Sequence, residues 1–318
     1  MSSTEHDARG DAARPPDSVI TVGTFDGVHR GHVAVIDEVC DCARRLGVRS
    51  IVITFEPHPL RVVRPHEAPR LLTTPEERRE LLAATGVDHV ATLPFTRELA
   101  TYSPERFVDE ILIRRFGMIH LVMGYDHGLG RGRSGDVDTL RRIGGSRGFG
   151  VDVVPALTLD GEPISSTRIR KALERGDVVF AARALGRPYA LRGRVIRGAG
   201  RGRELGFPTA NLEPLGEHKL LPLEGIYAVR AHGAGARARD GVLHLGPRPT
   251  FEGEPPSIEL HLFDFDGDLY GATLEVAFCG WIREIRGFAG IEPLVAAMRE
   301  DCARARALFA AGRGACQG

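Results

Sequence analysis

Neither sign of charge is in excess in this 318-residue sequence: Lys+Arg and Asp+Glu number 42 each. No global field therefore recruits nucleic acid or an anionic membrane, and no basic-aromatic motif of a nucleic-acid binder is present. No apolar run approaches bilayer-spanning length. Residues 1–17 lack an apolar leader core; they are polar and proline-containing, and read as a disordered lead-in. Cysteine is scarce and odd in number, five in all: Cys40, Cys42, Cys279, Cys302 and Cys316. Cys40 and Cys42 stand too close in sequence for ordinary zinc pairing, and the scatter suits reduced thiols in a cytoplasmic protein. A Walker-type phosphate loop is missing as well, because no Gly-Lys-Ser/Thr follows the glycines of the second half.

What is present suffices for two domains, each able to bury its own core. The stretch Ser18 to His32 begins as an apolar, β-branched run. It breaks at the glycines of Gly23-Thr24-Phe25-Asp26-Gly27 and restarts as a helix with apolar positions Val33, Ile36, Val39 and Leu46. A strand feeding a glycine turn and then a helix N-terminus builds an anion site, through unpaired N–H groups and the positive end of the helix dipole. His29 and His32, three apart, fall on one face of the first turn and can donate to phosphate oxygens. A metal pair is the weaker reading, because no acidic or cysteine partner stands at ligand spacing beside them.

Further strands are expected over Val48–Phe55, Val87–Leu93, Ile119–Met123 and Val151–Val154, with helices between them. Thr74-Pro75-Glu76-Glu77 carries an N-cap, a first-position proline and a Glu three after the cap. Strand–helix alternation at these lengths argues a doubly wound parallel sheet. Two loops fall at strand carboxyl ends, where such sheets place ligands. One is Phe55-Glu56-Pro57-His58-Pro59, the other Gly124-Tyr125-Asp126 and the glycines after it. Either can be a plain turn; Asp126 can accept from a hydroxyl or ring N–H. Ser165-Ser166-Thr167-Arg168 at a helix start suits a polyphosphate, or is an ordinary helix cap.

From Tyr189 the texture changes to short strands: Ala190–Arg197, Ile226–Ala231, Gly241–Leu245, Ser257–Phe265 and Thr273–Gly280. These read as a small antiparallel barrel or sandwich, covered by an amphipathic helix over Leu294–Ala310. Arginines concentrate between Arg183 and Arg203, a local anion site. In Gly198 to Leu212, Gly202 and Arg203 can cradle a diphosphate, and Thr209 and Asn211 offer oxygen ligands for Mg²⁺. A flexible basic hairpin is the plain alternative. Glu259 lies on an alternating strand, with His261 and Phe263 on its face and Ile258, Leu260 and Leu262 on the other.

These motifs together resemble the bacterial bifunctional riboflavin kinase/FMN adenylyltransferase (FAD synthetase) family. Gly-Thr-Phe-Asp-Gly-Val-His-Arg-Gly-His is similar to the HxGH signature of its nucleotidylyltransferase half, and Ser165 to Arg170 to a Ser-Ser-Thr-x-Ile-Arg motif. Gly202 to Leu212 resembles the riboflavin kinase signature nearly residue for residue. Leu223–Ala228, Gly246–Phe251 and Ser257–Gly271 resemble further kinase segments. The resemblance implies an adenylyltransferase domain at 18–185, a riboflavin kinase domain at 186–312 and a tail at 313–318.

It further implies nucleotide contacts from Gly23, Phe25, Gly27, His29, His32, Ser166, Thr167, Arg168, Gly202, Arg203, Thr209 and Asn211. Flavin contacts would come from Phe55, Pro57, His58, Asp126 and Arg283. Glu259 would be the general base toward the ribityl hydroxyl, His29 and His32 would stabilise charge, and Mg²⁺ would sit on Thr209 and Asn211. The partners implied are ATP, riboflavin and FMN, with no nucleic acid or membrane, and a monomer or weak homo-oligomer. Where the family has Gly-x-Asp-Phe-x-Phe-Gly, this chain has His127 and Leu129 in place of both phenylalanines. That departure keeps open a riboflavin kinase whose transferase half is altered.

Overall fold

The computed structural model describes residues 15–126, 128–198, 202, 205–233, 236–247, 256–312 and 314–316. These fall into two compact units. The first comprises the chain up to Phe25, His32–Pro69 and Arg79–Ala156; the second comprises Asp26–Gly31, Arg70–Arg78 and the chain from Leu157 onward.

In the first unit five parallel strands form one sheet: β1 (Ser18–Val22), β2 (Arg49–Glu56), β3 (His89–Pro94), β4 (Met118–Gly124) and β5 (Gly150–Val154). Their spatial order is β3-β2-β1-β4-β5. Strand order therefore reverses at β1, and the carboxyl ends of β1 and β4 flank the crevice where doubly wound sheets bind ligands. All five residues of β1 are buried, as a strand covered on both faces must be.

On one face lies helix α1 (Arg30–Leu46). Of the expected apolar positions it buries Ile36 and Val39, together with Val35, Cys42 and Ala43; Val33 is half-buried, and Leu46 is exposed where the chain turns out through Gly47. On the other face Ile20, Ile53, Leu121 and Met123 pack with Phe107, Leu112 and Leu140. The helix after Ser103 is capped by the Ser103 hydroxyl, which accepts from Arg106 N–H, but its middle, Phe107–Ile113, is π-helical.

The second unit opens with a short hairpin, β6 (Thr158–Leu159) and β7 (Glu162–Pro163), followed by helices Ser166–Glu174 and Val178–Leu185. A closed antiparallel barrel follows, built from β8 (Ala190–Ile196), β9 (Ala210–Pro214), β10 (Gly225–Gly233), β11 (Ala236–Gly246), β12 (Ser257–Leu262) and β13 (Thr273–Arg283). Its order is β10-β11-β12-β9-β8-β13, and closure leaves no unpaired edge. The sixth strand, absent from the sequence reading, is β9, which begins in the last three residues of the Gly198–Leu212 motif and runs past it. Ile258, Leu260 and Leu262 point inward and are buried. Phe263, on the outer side, is covered together with Ala228 by the helix Ile291–Ala310 through Ala305.

The expectation of five reduced thiols is corrected here. Cys279 and Cys316 form a disulfide, and Cys40, Cys42 and Cys302 are free. The chain after the last helix folds back on β13, where Ala315 N–H donates to the Cys279 carbonyl at 2.7 Å. That return delivers Cys316 to a partner 37 residues away.

Candidate active sites

At the carboxyl end of β1, Gly23 N–H donates to Ile53 O at 3.0 Å. A Cβ at Gly23 would stand 3.1 Å from the Phe25 ring, so the glycine lets that ring fold back over the turn. Phe25 is buried in the left-handed region, φ 48°, a conformation that costs a bulky residue about 1–3 kcal/mol. Its ring meets His32 edge-on, centroids 5.2 Å apart. His32 sits in the first turn of α1, where backbone N–H groups lack helical partners.

Phe55 is committed to the core against Phe95 and Phe107. Pro57 follows a cis peptide bond, and buried His58 caps the next short helix, its Nδ1 accepting from Leu60 N–H at 3.2 Å. Asp126 is exposed on the loop after β4. His127 lies outside the described residues. Leu129 is buried in the core cluster that holds Phe55 and Phe107, and it pairs with Gly135 through two backbone hydrogen bonds. An apolar anchor for this loop is therefore retained although the phenylalanine is not.

In the second unit the turn Asp26-Gly27-Val28-His29 is held from several sides. Buried Asp26 accepts from Leu72 N–H at 2.9 Å, from Thr73 N–H at 3.1 Å and from the Arg170 guanidinium at 2.5 Å. Gly27 N–H donates to the Thr73 hydroxyl. Arg187 donates to the carbonyls of Gly27 at 2.7 Å and Val28 at 3.1 Å. Ser166 donates from its hydroxyl to Asp26 O at 2.8 Å. Gly27 has φ 84°, and a Cβ there would strike Leu72 at 2.8 Å. Val28, at φ 40°, is strained for a β-branched residue. The charged clamps over-determine that strain.

His29 precedes α1 rather than lying within it, and it is buried. Burial lowers its pKa to about 4, and the nearby Arg187 and Arg170 charges reinforce this against Asp26. At neutral pH it is therefore a neutral imidazole able to donate one hydrogen bond. Thr167 is exposed in the first turn of its helix. Arg168 is spent on the hairpin, donating to Leu159 O and Glu162 O and lying over the Phe180 ring.

Asp26, Thr73, Arg170 and Arg187 were not singled out from sequence. Asp26 and Arg170 are 144 residues apart, so no local pattern joins them. Nearby, Thr74 and Glu77 close the expected capping box, and buried Lys219 pairs with Glu77 at 2.5 Å.

The barrel site is a cross-strand row. Glu259 faces Asn211 of β9 on one side and His244 of β11 on the other. Thr209 donates its hydroxyl to Glu259 Oε2 at 3.3 Å, and Ser257 donates to Oε1 at 3.0 Å. A Cβ at Gly198 would lie 2.0 Å from Asn211 Nδ2, and one at Gly202 would lie 2.8 Å from Thr209 Oγ1. Only glycine lets the loop approach these side chains so closely. Arg203 lies outside the described residues. Thr209, Asn211 and Glu259 converge hard oxygen donors, the set that suits Mg²⁺. Arg283 makes a bidentate pair with Asp301, at 2.8 and 2.7 Å, which ties β13 to the C-terminal helix.

The family described as FAD synthetase matches residues 11–168, and that described as riboflavin kinase matches 185–309. The bifunctional riboflavin kinase/FMN adenylyltransferase of Pseudomonas fluorescens is 41% identical over 92% of this chain and 93% of its own. Those of Escherichia coli and Bacillus subtilis are each 37% identical, covering 92% and 90% of their own lengths. A crystal structure named for a macrolide-efflux protein from Streptococcus pneumoniae superposes with a TM-score of 0.82. It is 31% identical, over 92% of this chain and 94% of that one. Shared fold does not assign an activity, and among the described residues no helix is long and apolar enough to cross a membrane.

Proposed function

Because the chain belongs to the bifunctional riboflavin kinase/FMN adenylyltransferase family, we propose that it makes both flavin cofactors in sequence. It phosphorylates riboflavin with ATP to FMN, then transfers AMP from a second ATP to FMN, giving FAD and pyrophosphate. The observation that carries this is the match of two separate family models, one per half, in relatives aligned over nearly their full lengths. A kinase with an altered first half is not favoured, because the FAD synthetase match spans that half.

We assign the kinase to 186–312 and the transferase to 18–185. In the kinase, the terminal ribityl oxygen bonds to the γ-phosphorus in line as the bond from that phosphorus to the bridging oxygen of ADP breaks, while Glu259 takes the hydroxyl proton. Thr209 and Ser257 orient that carboxylate. Thr209 and Asn211 would hold Mg²⁺, which would supply positive charge against that developing on the phosphates. In the transferase, an FMN phosphate oxygen bonds to the α-phosphorus of ATP as the bond to the pyrophosphate oxygen breaks. FMN is already a nucleophile, so positioning and charge stabilisation suffice. His29 and His32 donate to the phosphates, and Ser166, Thr167 and Arg168 lie along the nucleotide. Gly23, Phe25 and Gly27 shape the turn that receives it, and Phe55, Pro57, His58 and Asp126 are its flavin-side residues; Arg283 is the flavin-side residue of the kinase. We place the enzyme in the cytoplasm, as a monomer or weak homo-oligomer acting on small molecules.

Incubation of purified protein with riboflavin and Mg-ATP, with chromatography of the products, tests this. FMN should appear first, followed by FAD and pyrophosphate. FMN alone would remove the second activity, and unchanged riboflavin would remove both.

A further inference from the structure

One cluster of metal-ligating side chains lies outside everything assigned above. It is built from three elements of the first unit: Cys42 near the end of α1, His120 on β4 and Asp152 on β5. One ligand atom from each lies within 4.8 Å of the other two. We propose that Cys42, His120 and Asp152 bind a zinc ion that pins α1 to the sheet.

Register brings the residues together. Val122 pairs with Asp152, and His120 pairs with Gly150 two residues earlier, so His120 and Asp152 project from one face. That face packs under α1, where Val122 joins Val35, Val39, Cys42 and Ala43. Gly150 makes the room, since a Cβ there would lie 2.4 Å from His120 Nδ1. The imidazole fills that space and turns Nε2 to Asp152 Oδ2 at 2.9 Å.

A cysteine, a histidine and a carboxylate are a borderline-soft donor set that suits zinc and disfavours Mg²⁺ or Ca²⁺. In a tetrahedral zinc site, ligand atoms at their usual bond lengths lie about 3.3–3.8 Å apart. The His120–Asp152 contact needs to open by a few tenths of an ångström, and the widest pair needs to close by about 1 Å. The site is open to solvent on one side: the side chains of His120 and Asp152 are 19% and 49% exposed. An ion can enter there, and a water can take the fourth position.

Two other charges face the thiol, Arg45 and Glu38. They pair with each other at 2.9 Å, so their net charge is zero. The Arg45 side chain, 60% exposed, can yield its place at the sulfur.

The test is zinc retention by the full chain. Protein stripped with chelator, incubated with excess Zn²⁺ and dialysed should keep one ion per chain. Cobalt in its place should give a sulfur-to-metal charge-transfer band. Cys42→Ser should abolish the band. His120→Asn should weaken Zn²⁺ binding at least tenfold, while Cys40→Ser should leave both unchanged. Zinc should raise the thermal midpoint of the wild type but not of His120→Asn. His120 is partly exposed, so His120→Asn decides the matter if Cys42→Ser fails to fold. No retained zinc in the wild type, or equal retention in His120→Asn, would overturn the site.

Discussion

Glu259 and His29 are the residues whose surroundings say most about their work. Glu259 is held by two hydroxyl donors and stands in register with Asn211. Replacing it with Gln keeps the shape and removes the base. Riboflavin phosphorylation should fall by roughly a hundredfold or more, read as initial rates of FMN formation. His29 bears on stability. Its pKa falls from the ordinary 6.5 to about 4 in the folded protein, so folding favours the neutral ring. The contribution is fully present above about pH 6.5 and is lost as pH drops toward about 4, to the extent of roughly 3 kcal/mol. Urea midpoints taken across that window should fall in the wild type and change less in His29→Gln; equal slopes would remove His29 as the cause. The turn that carries His29 was legible in the sequence because its residues are neighbours. The groups that clamp that turn at Asp26, Gly27 and Val28, Arg170 and Arg187, were not, because they come from more than 140 residues away.

Elements were read well where hydrophobic period and punctuation agreed. Strand β1, the Thr74–Glu77 capping box and the helix covering the barrel follow from a short β-branched apolar run, helix caps and amphipathic spacing. Strand β9 was missed because Ala210–Pro214 is short and straddles the end of a glycine-rich motif. In α1, Ile36 and Val39 are buried as their spacing implies, whereas Leu46, apolar and in period, is exposed at the helix end. The element that most needs support is the strained turn after β1, braced by the buried Asp26–Arg170 pair. Removing one partner leaves a charge in a dry site, at a cost of about 3–5 kcal/mol. Arg170→Met should lower the urea midpoint accordingly, and adding Asp26→Asn should recover part of the loss. Additive losses in the double variant would show that the two do not act as a pair.

At the scale of the whole molecule, a parallel sheet and a closed barrel were both legible, and so was the order of the motifs. The disulfide was not, since a tail must fold back 37 residues to make it. Protein isolated without reductant should show three reactive thiols when denatured and five after reduction; five from the start would remove the bridge. Two chemistries on one chain remain the central claim, and the most direct measurement is a pair of variants assayed for both steps. His32→Ala should still turn riboflavin into FMN while making no FAD, and Glu259→Gln should still turn supplied FMN into FAD while leaving riboflavin untouched. Loss of both steps in either folded variant would contradict the account.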